Sequence, residues 1–249
     1  MRTTWKTAAL VALAATVLGL SACGGEQQPA AAPDPSAAAR QRVTDDADAP
    51  CVSDPGQLVV IENAKHDLTA AWQTGQGDTG VVLLHQVDGG ICQWSAFARL
   101  LVEKGNRALS VDVDSRDAVE FAQAAVAHLR AQGTKRVFVF GASRGGTIAL
   151  AAAAGVTPPV DGVASLSAPT VYDADARAAV AKLPVPVVFA AGANEARFAD
   201  AARELHQLSV SAHKKLVLPS SSRHGVGLLD DAMNTLLLAF LADPAAATA

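Results

Sequence analysis

Two hydrophobic patterns alternate along the chain between residues 57 and 241. Short apolar runs such as residues 81–84 are typical of strands that are buried on both faces of a sheet. Segments such as residues 117–132 instead carry apolar side chains at helical spacing, among them Val119, Ala122 and Val126. The patterns predict strands over residues 57–61, 67–72, 81–84, 107–113, 136–140, 162–166, 185–190 and 216–218, and helices over residues 94–103, 117–132, 145–154, 174–183, 198–208 and 228–241. Because strands alternate with helices, we expect an α/β fold with a mostly parallel sheet and helices on both faces.

The first 22 residues have the pattern of a secretory signal peptide. Arg2 and Lys6 precede an uncharged run over residues 8–20, which is too short to span a bilayer comfortably. The run ends in Leu-Ser-Ala-Cys at residues 20–23, which resembles the lipobox of bacterial lipoproteins. The resemblance implies lipidation of Cys23 and anchoring at the extracytoplasmic face of a bacterial cell membrane. The alternative is an ordinary signal peptide in which the cysteine stands near the cleavage site by chance.

Residues 23–50 are rich in alanine, proline, glutamine and aspartate and show no apolar periodicity. Such a segment buries too little apolar surface to offset the entropy lost on ordering, so we expect a flexible tether. Residues 51–249 then have the length of one domain.

Composition narrows the classes of function. Hydrophobic residues make up 50% of the chain, which is enough for a sizeable core, and the formal net charge is −4. With an acidic balance and only 4% aromatic residues, a nucleic-acid partner is not expected. The sequence contains no phosphate-binding glycine loop with lysine and no metal-ligand spacing, so no cofactor and no metal are predicted. No obligate protein partner is indicated.

The most informative motif is Gly141-x-Ser143-x-Gly145. A predicted strand of alternating valine and phenylalanine leads into it, and a predicted helix follows at once. This strand–turn–helix context is typical of a nucleophilic serine on a sharp turn, where a neighbouring Cβ would collide. The alternative is a glycine-rich turn in which Ser143 only caps the helix.

At this motif the chain resembles the α/β-hydrolase family, and further segments match in the family's order. Residues 81–86 followed by Gly89 and Gly90 resemble the loop that supplies one N–H group of the oxyanion hole. The resemblance implies that the backbone N–H groups of Gln86 and Arg144 are the two donors. Gln86 stands where many members have glycine, which changes the local shape of the loop. His85 is interpreted as structural.

The same resemblance implies the two partners of Ser143. Glu195, after the strand over 185–190, stands where the family usually has aspartate, and Asp200 and Asp173 remain rival acids. His224 lies in the loop after the last strand, at the final position of the order serine, acid, histidine, and is the expected general base. The other four histidines are interpreted as surface residues: His66, His128, His206 and His213.

The resemblance therefore implies a serine hydrolase that cleaves small carboxylic esters, and the rival hypothesis is a hydrolase-fold lipoprotein that only binds its ligand. The short segment between residues 167 and 185 predicts a site without a large cap domain. Outside the cell Cys51 and Cys92 can pair, although two separate thiols are also possible. Asp112 and Asp114, at the end of a strand, are interpreted as polar strand-end residues rather than as a metal site.

Overall fold

A computed structural model describes residues 35–53 and 57–249, so the predicted signal peptide and Cys23 lie outside the described residues. Its centre is an eight-stranded sheet with the order β1-β2-β4-β3-β5-β6-β7-β8. The strands are β1 (Leu58–Glu62), β2 (Leu68–Thr74), β3 (Thr79–Leu84), β4 (Arg107–Val111), β5 (Arg136–Ala142), β6 (Gly162–Leu166), β7 (Val187–Ala190) and β8 (Lys214–Val217). Strands β3 to β8 are parallel, whereas β1 and β2 form an antiparallel edge.

Eight helices accompany the sheet in the described part of the chain. They are α1 (Pro35–Asp45), α2 (Ser95–Glu103), α3 (Ala118–Ala131), α4 (Arg144–Ala153), α5 (Ala176–Val180), α6 (Ala196–Leu208), α7 (Asp231–Ala242) and α8 (Pro244–Thr248), with a short 3-10 helix over Gly225–Leu228. The mostly parallel α/β architecture expected from the sequence is confirmed. Only α5 separates β6 from β7, so the expectation that no large cap domain is present is confirmed for the described residues.

The central strands separate two apolar clusters, one on each face of the sheet. Alternate side chains of β3 illustrate this, because Val82 and Leu84 join the cluster under α3 and α4, whereas Val81 and Leu83 join the cluster under α2 and α7. All four side chains are fully buried. Burial on both faces explains why the strand is a continuous hydrophobic run.

The carboxyl ends of the parallel strands lie at one edge of the sheet. The loops that follow β3, β5, β6, β7 and β8 therefore meet there, which is the place where open α/β sheets bind ligands. Gln86 lies in the loop after β3, Ser143 directly after β5, Glu195 in the loop after β7 and His224 in the loop after β8.

The predicted tether differs from the structure over residues 35–45, which form α1. This helix contacts β1 and β2, and Arg40 pairs with Glu62 at the end of β1. Beyond the helix, Ala47 and Ala49 pack against the apolar cluster that contains Trp94. The half-buried residues of the helix are Ala38, Ala39, Val43 and Thr44, too few and too small to give a clear apolar stripe in the sequence, although alanine favours helix strongly.

Residues 51 and 92 hold the end of this segment to the loop after β3. Cys51 and Cys92 form a disulfide with their Cα atoms 5.5 Å apart, and the Cys51 N–H donates to Cys92 Sγ. Within the described ranges, no helix is both long and apolar enough to cross a membrane.

Candidate active site

Ser143 occupies a sharp turn between β5 and α4. Its backbone has φ 51° and ψ −119°, a left-handed conformation that is rare for a residue with a side chain. A Cβ at Gly141 would collide with the carbonyl of Gly145, and a Cβ at Gly145 would collide with the carbonyl of Leu84. Glycine is therefore required on both sides of Ser143, and the Ser143 N–H fixes the turn by donating to Leu166 O at 2.7 Å.

The Ser143 side chain is half-buried and has no hydrogen-bond partner among the described residues. It stands at the N-terminus of α4, where the Gly146 and Thr147 N–H groups donate to Ser143 O at 2.8 and 3.2 Å and only the first N–H groups of the helix are left to bind a developing negative charge. The Arg144 N–H is one such group, because no acceptor within the described ranges receives it.

Glu195 and His224 meet at the ends of β7 and β8. The two carboxylate oxygens of Glu195 lie 3.1 and 3.3 Å from His224 Nδ1. Because a carboxylate only accepts, the Nδ1–H of His224 donates to it, which leaves Nε2 available for another group. The side chains are 17% and 29% exposed, so the pair is partly shielded from water. The ring of Phe198 packs against the imidazole with 4.3 Å between centroids.

The two rival acids are engaged elsewhere. Asp200 pairs with Arg203 on the exposed side of α6 at 2.8 Å. Asp173 accepts from the guanidinium of Arg144 at 2.6 Å. Of the three carboxylates that the sequence left open, only Glu195 contacts His224.

The loop after β3 differs from the arrangement that the resemblance implies. The Gln86 N–H donates to Gln93 Oε1 at 2.8 Å, so this predicted oxyanion donor already has an acceptor. The next N–H along the loop, that of Val87, has no acceptor in the described part of the chain. The Gln86 side chain reaches the opposite loop, where Gln86 Oε1 accepts from the Val226 N–H at 3.4 Å. Sequence reasoning missed Gln93, because nothing in its spacing indicates that it folds back onto residue 86.

His85 supports this loop from beneath. Its side chain is 1% exposed, Nδ1 lies 2.8 Å from Gln86 O, and Nε2 accepts from the Val113 N–H at 3.0 Å. Asp112 Oδ1 lies 3.3 Å from the same Nε2 and accepts from the Asp114 N–H at 2.9 Å. These contacts agree with a structural interpretation of His85. No group of three or more described histidine, cysteine, aspartate or glutamate side chains is placed to hold a metal ion.

The Arg144 side chain borders an open cleft of about 450 Å³ at the start of α4. The guanidinium is almost fully buried, and besides Asp173 it donates to Ser115 O at 3.0 Å. The cleft is also bordered by the exposed apolar surface of Val87 and Tyr172. It therefore combines polar walls with an apolar rim.

Comparison with solved structures places this architecture among the α/β-hydrolases. An esterase domain of a Rhodothermus marinus protein superposes with a TM-score of 0.61 at 18% identity, covering 74% of this chain and 95% of that chain. A Pyrococcus furiosus esterase gives 0.63 at 14% identity, with 76% and 90% covered. An α/β-hydrolase enzyme from a lagoon-sediment metagenome of Mar Chica, Morocco, gives 0.58 at 17%, with 70% and 94% covered. At these identities the likeness establishes the α/β-hydrolase fold. No protein-family model matches the chain, and neither does any curated protein.

Proposed function

We propose that this chain is a serine hydrolase that cleaves carboxylic esters, with Ser143 as nucleophile, His224 as general base and Glu195 as the acid. The observation that carries the proposal is the combination of a strained serine at the start of α4 with a hydrogen-bonded acid–histidine pair on loops at the same edge of the sheet. Fold alone does not define chemistry, so the proposal rests on these three side chains.

The proposed reaction follows from the chemistry of the groups. His224 Nε2 takes the proton of the Ser143 hydroxyl as the oxygen attacks the ester carbonyl, and it returns that proton to the leaving alcohol. Glu195 holds the imidazole through Nδ1 and stabilises its protonated form. Water then attacks the acyl-enzyme with the same base, which releases the acid and restores Ser143.

The oxyanion needs two N–H donors that are not already engaged. Arg144 supplies one, as the sequence predicts. We assign the second to Val87 instead of Gln86, because Gln93 accepts from the Gln86 N–H while the Val87 N–H has no acceptor among the described residues. Removing one oxyanion-hole donor costs about 2.7–4 kcal/mol of transition-state stabilisation where it has been tested by substitution.

We take the open cleft bordered by Val87, Arg144 and Tyr172 as the substrate-binding region, because Arg144 directly follows Ser143 in the chain, and it supports small or accessible esters as substrates. It is open, and only the short helix α5 lies in the β6–β7 connection. The exposed surfaces of Val87 and Tyr172 offer contact to a short apolar group. Hydrolysis of a p-nitrophenyl ester series is therefore expected to decline as the acyl chain lengthens.

The deciding experiment combines labelling and turnover. The protein is treated with a fluorophosphonate probe and assayed on p-nitrophenyl acetate beside Ser143→Ala and His224→Ala. We expect Ser143 to be the labelled residue and both variants to lose at least about 10³-fold in kcat. Ser53→Ala and His213→Ala, at two exposed positions outside the proposed triad, are matched controls that keep activity. Absence of both labelling and turnover would instead favour the ligand-binding hypothesis.

Location is a separate proposal, since residues 1–34 are not among those described. We propose that the chain is held at the extracytoplasmic face of a bacterial membrane by a lipid on Cys23, on the strength of the lipobox-like segment. Mass spectrometry of the N-terminal peptide tests this directly. A Cys23→Ala variant that still partitions with membranes would contradict it.

A further inference from the structure

Ser167 is a buried serine that no sequence motif includes. It follows the last residue of β6, is 0% exposed, and has a left-handed backbone with φ 49°. Its N–H donates to Ala190 O, the last residue of β7, at 2.6 Å. A non-glycine residue in this conformation is costly and persists only where its surroundings hold it there.

The Ser167 hydroxyl lies between the two loops that carry the proposed acid and base. Ser167 Oγ accepts from the Gly225 N–H at 3.0 Å, next to His224 in the chain. The hydroxyl proton is then free to be donated, and Glu195 Oε2 lies 3.5 Å away, at the long end of hydrogen bonding. One hydroxyl therefore links the carboxylate of Glu195 to the backbone beside His224.

A glutamate needs such a link more than an aspartate would. The Glu195 side chain has one more rotatable bond, and its oxygens lie at nearly equal distances, 3.1 and 3.3 Å, from His224 Nδ1. A carboxylate held only by that contact can rotate and carry the imidazole with it. Gly225 adopts φ 53°, a conformation that glycine takes without strain, and its N–H is held by Ser167 Oγ. Ser167 thus joins the longer glutamate side chain to the backbone beside His224.

We propose that Ser167 is a positioning residue for the Glu195–His224 pair. Its hydroxyl accepts from Gly225, donates to Glu195 Oε2, and keeps the carboxylate oriented so that it receives the Nδ1–H of His224. Ser167 does not touch the substrate and transfers no proton. The inference rests on the proposed function for its kinetic consequence, but its structural content concerns only the Glu195–His224 hydrogen bond.

Two substitutions separate the hydroxyl from the backbone strain. Ser167→Ala removes the hydroxyl and keeps a Cβ at positive φ, whereas Ser167→Gly removes the hydroxyl and relieves the strain. Ser165→Ala is the matched control, because Ser165 is also buried on β6 but its hydroxyl donates to Gly146 O at 3.3 Å. If Ser167→Ala fails to fold, Ser167→Gly decides the question.

Both Ser167 variants are expected to lose about tenfold to a hundredfold in kcat, the size of effect that a misplaced catalytic group produces, with KM changed less than about threefold. Ser165→Ala is expected to stay within about threefold in both constants. A second readout needs no turnover: the far-downfield proton resonance of the His224 Nδ1–H, identified by its loss in His224→Ala, broadens or moves upfield in both Ser167 variants and is unchanged in Ser165→Ala.

An unchanged Nδ1–H resonance in both Ser167 variants overturns the inference, as does a kcat within threefold of the unsubstituted protein. If the protein has no esterase activity and no fluorophosphonate labelling, the proposed function fails, but the resonance still tests whether Ser167 orders Glu195 and His224. The two failures are therefore distinguishable.

Discussion

The two halves of the candidate site are positioned in different ways. The backbone half consists of the Ser143 turn and the end of β3, where main-chain atoms approach so closely that no Cβ fits at Gly141 or Gly145. The side-chain half consists of Glu195, His224 and Ser167, which are joined by hydrogen bonds between side chains and to one backbone N–H. Close packing of main-chain atoms is disrupted as soon as a Cβ is added. Hydrogen bonds between side chains instead weaken gradually as their distances and angles change.

The backbone half therefore depends on a short local sequence motif. The side-chain half depends on residues that are distant in the sequence and that only the fold brings together. The backbone half is specified by three residues within five positions of the chain. The side-chain half draws its three members from three different strand ends. Substitutions at the glycines of the backbone half should therefore act on stability, and substitutions in the side-chain half on turnover.

The largest effect is expected from a substitution that disrupts the close packing of the backbone half. Gly145→Ala places a Cβ against the carbonyls of Leu84 and His85, and neither main chain can give way without moving β3. We expect the free energy of unfolding to fall by about 3 kcal/mol or more, measured by urea denaturation, with loss of activity. Gly90→Ala is the control, because a Cβ at Gly90 meets nothing within 4 Å. Equal stability of the two variants would show that the Ser143 turn is not sterically confined.

The next largest effect is expected from a substitution that weakens the Glu195–His224 pair of the side-chain half. Glu195→Gln keeps the size of the side chain but removes the charge that stabilises the His224 imidazolium, so kcat is expected to fall by about 10²–10⁴-fold. The midpoint of thermal unfolding should change little. The comparison variant is Asp200→Asn, which alters an exposed carboxylate on the following helix and should keep full turnover. A large loss in Asp200→Asn with none in Glu195→Gln would reverse the assignment of the acid.

A smaller effect is expected in the loop after β3, where the test is whether Gln93 braces the loop that carries the Val87 N–H. Gln93→Ala removes the acceptor of the Gln86 N–H and with it a brace of the loop that carries the Val87 N–H. We expect kcat to fall by about tenfold, a fraction of what losing an oxyanion donor costs. An increase in kcat would mean instead that Gln93 masks the true donor, Gln86, as the sequence alone suggested. Gln73→Ala, remote on β2, controls for loss of a glutamine.

The smallest effect on turnover should come from the disulfide. Replacing both Cys51 and Cys92 by serine releases the constraint on a segment with a sequence separation of 41 residues. The free energy of unfolding is expected to drop by about 2–4 kcal/mol while kcat stays within about threefold. Thermal unfolding with and without reductant measures the first quantity and ester hydrolysis the second. A collapse of kcat at unchanged stability would place the disulfide inside the catalytic apparatus.

Sequence reasoning predicted the fold class and the Ser143 turn because both follow from local constraints. Continuous apolar runs indicate buried parallel strands, and the two glycines are needed for a close approach. It predicted less well where stability comes from distant contacts. Helix α1 depends on docking against β1 and β2, and β8 begins two residues earlier than expected because Lys214 and Lys215 lie on a sheet edge that tolerates charge.

Within the site, the unpredicted residues are those whose roles arise only after folding. Nothing near Ser167 in the sequence indicates that Glu195 and Gly225 converge on its hydroxyl. The sequence around Gln93 likewise does not indicate that the folded loop brings its side chain to the Gln86 N–H. Glu195 could be ranked above Asp173 and Asp200 by its place in the loop after the strand over 185–190, but only the contacts in the fold separate the three carboxylates.

The Cys51–Cys92 bond also determines how the protein would carry a mechanical load. Strands β1, β2 and β3 all lie inside the covalent ring that it closes. A pull on the N-terminus would detach α1 and then pass through the sulfur atoms to the loop after β3, so that the enclosed strands bear no tension. Opening the bridge would release about 140 Å of additional contour length, a step that a single-molecule force trace can resolve.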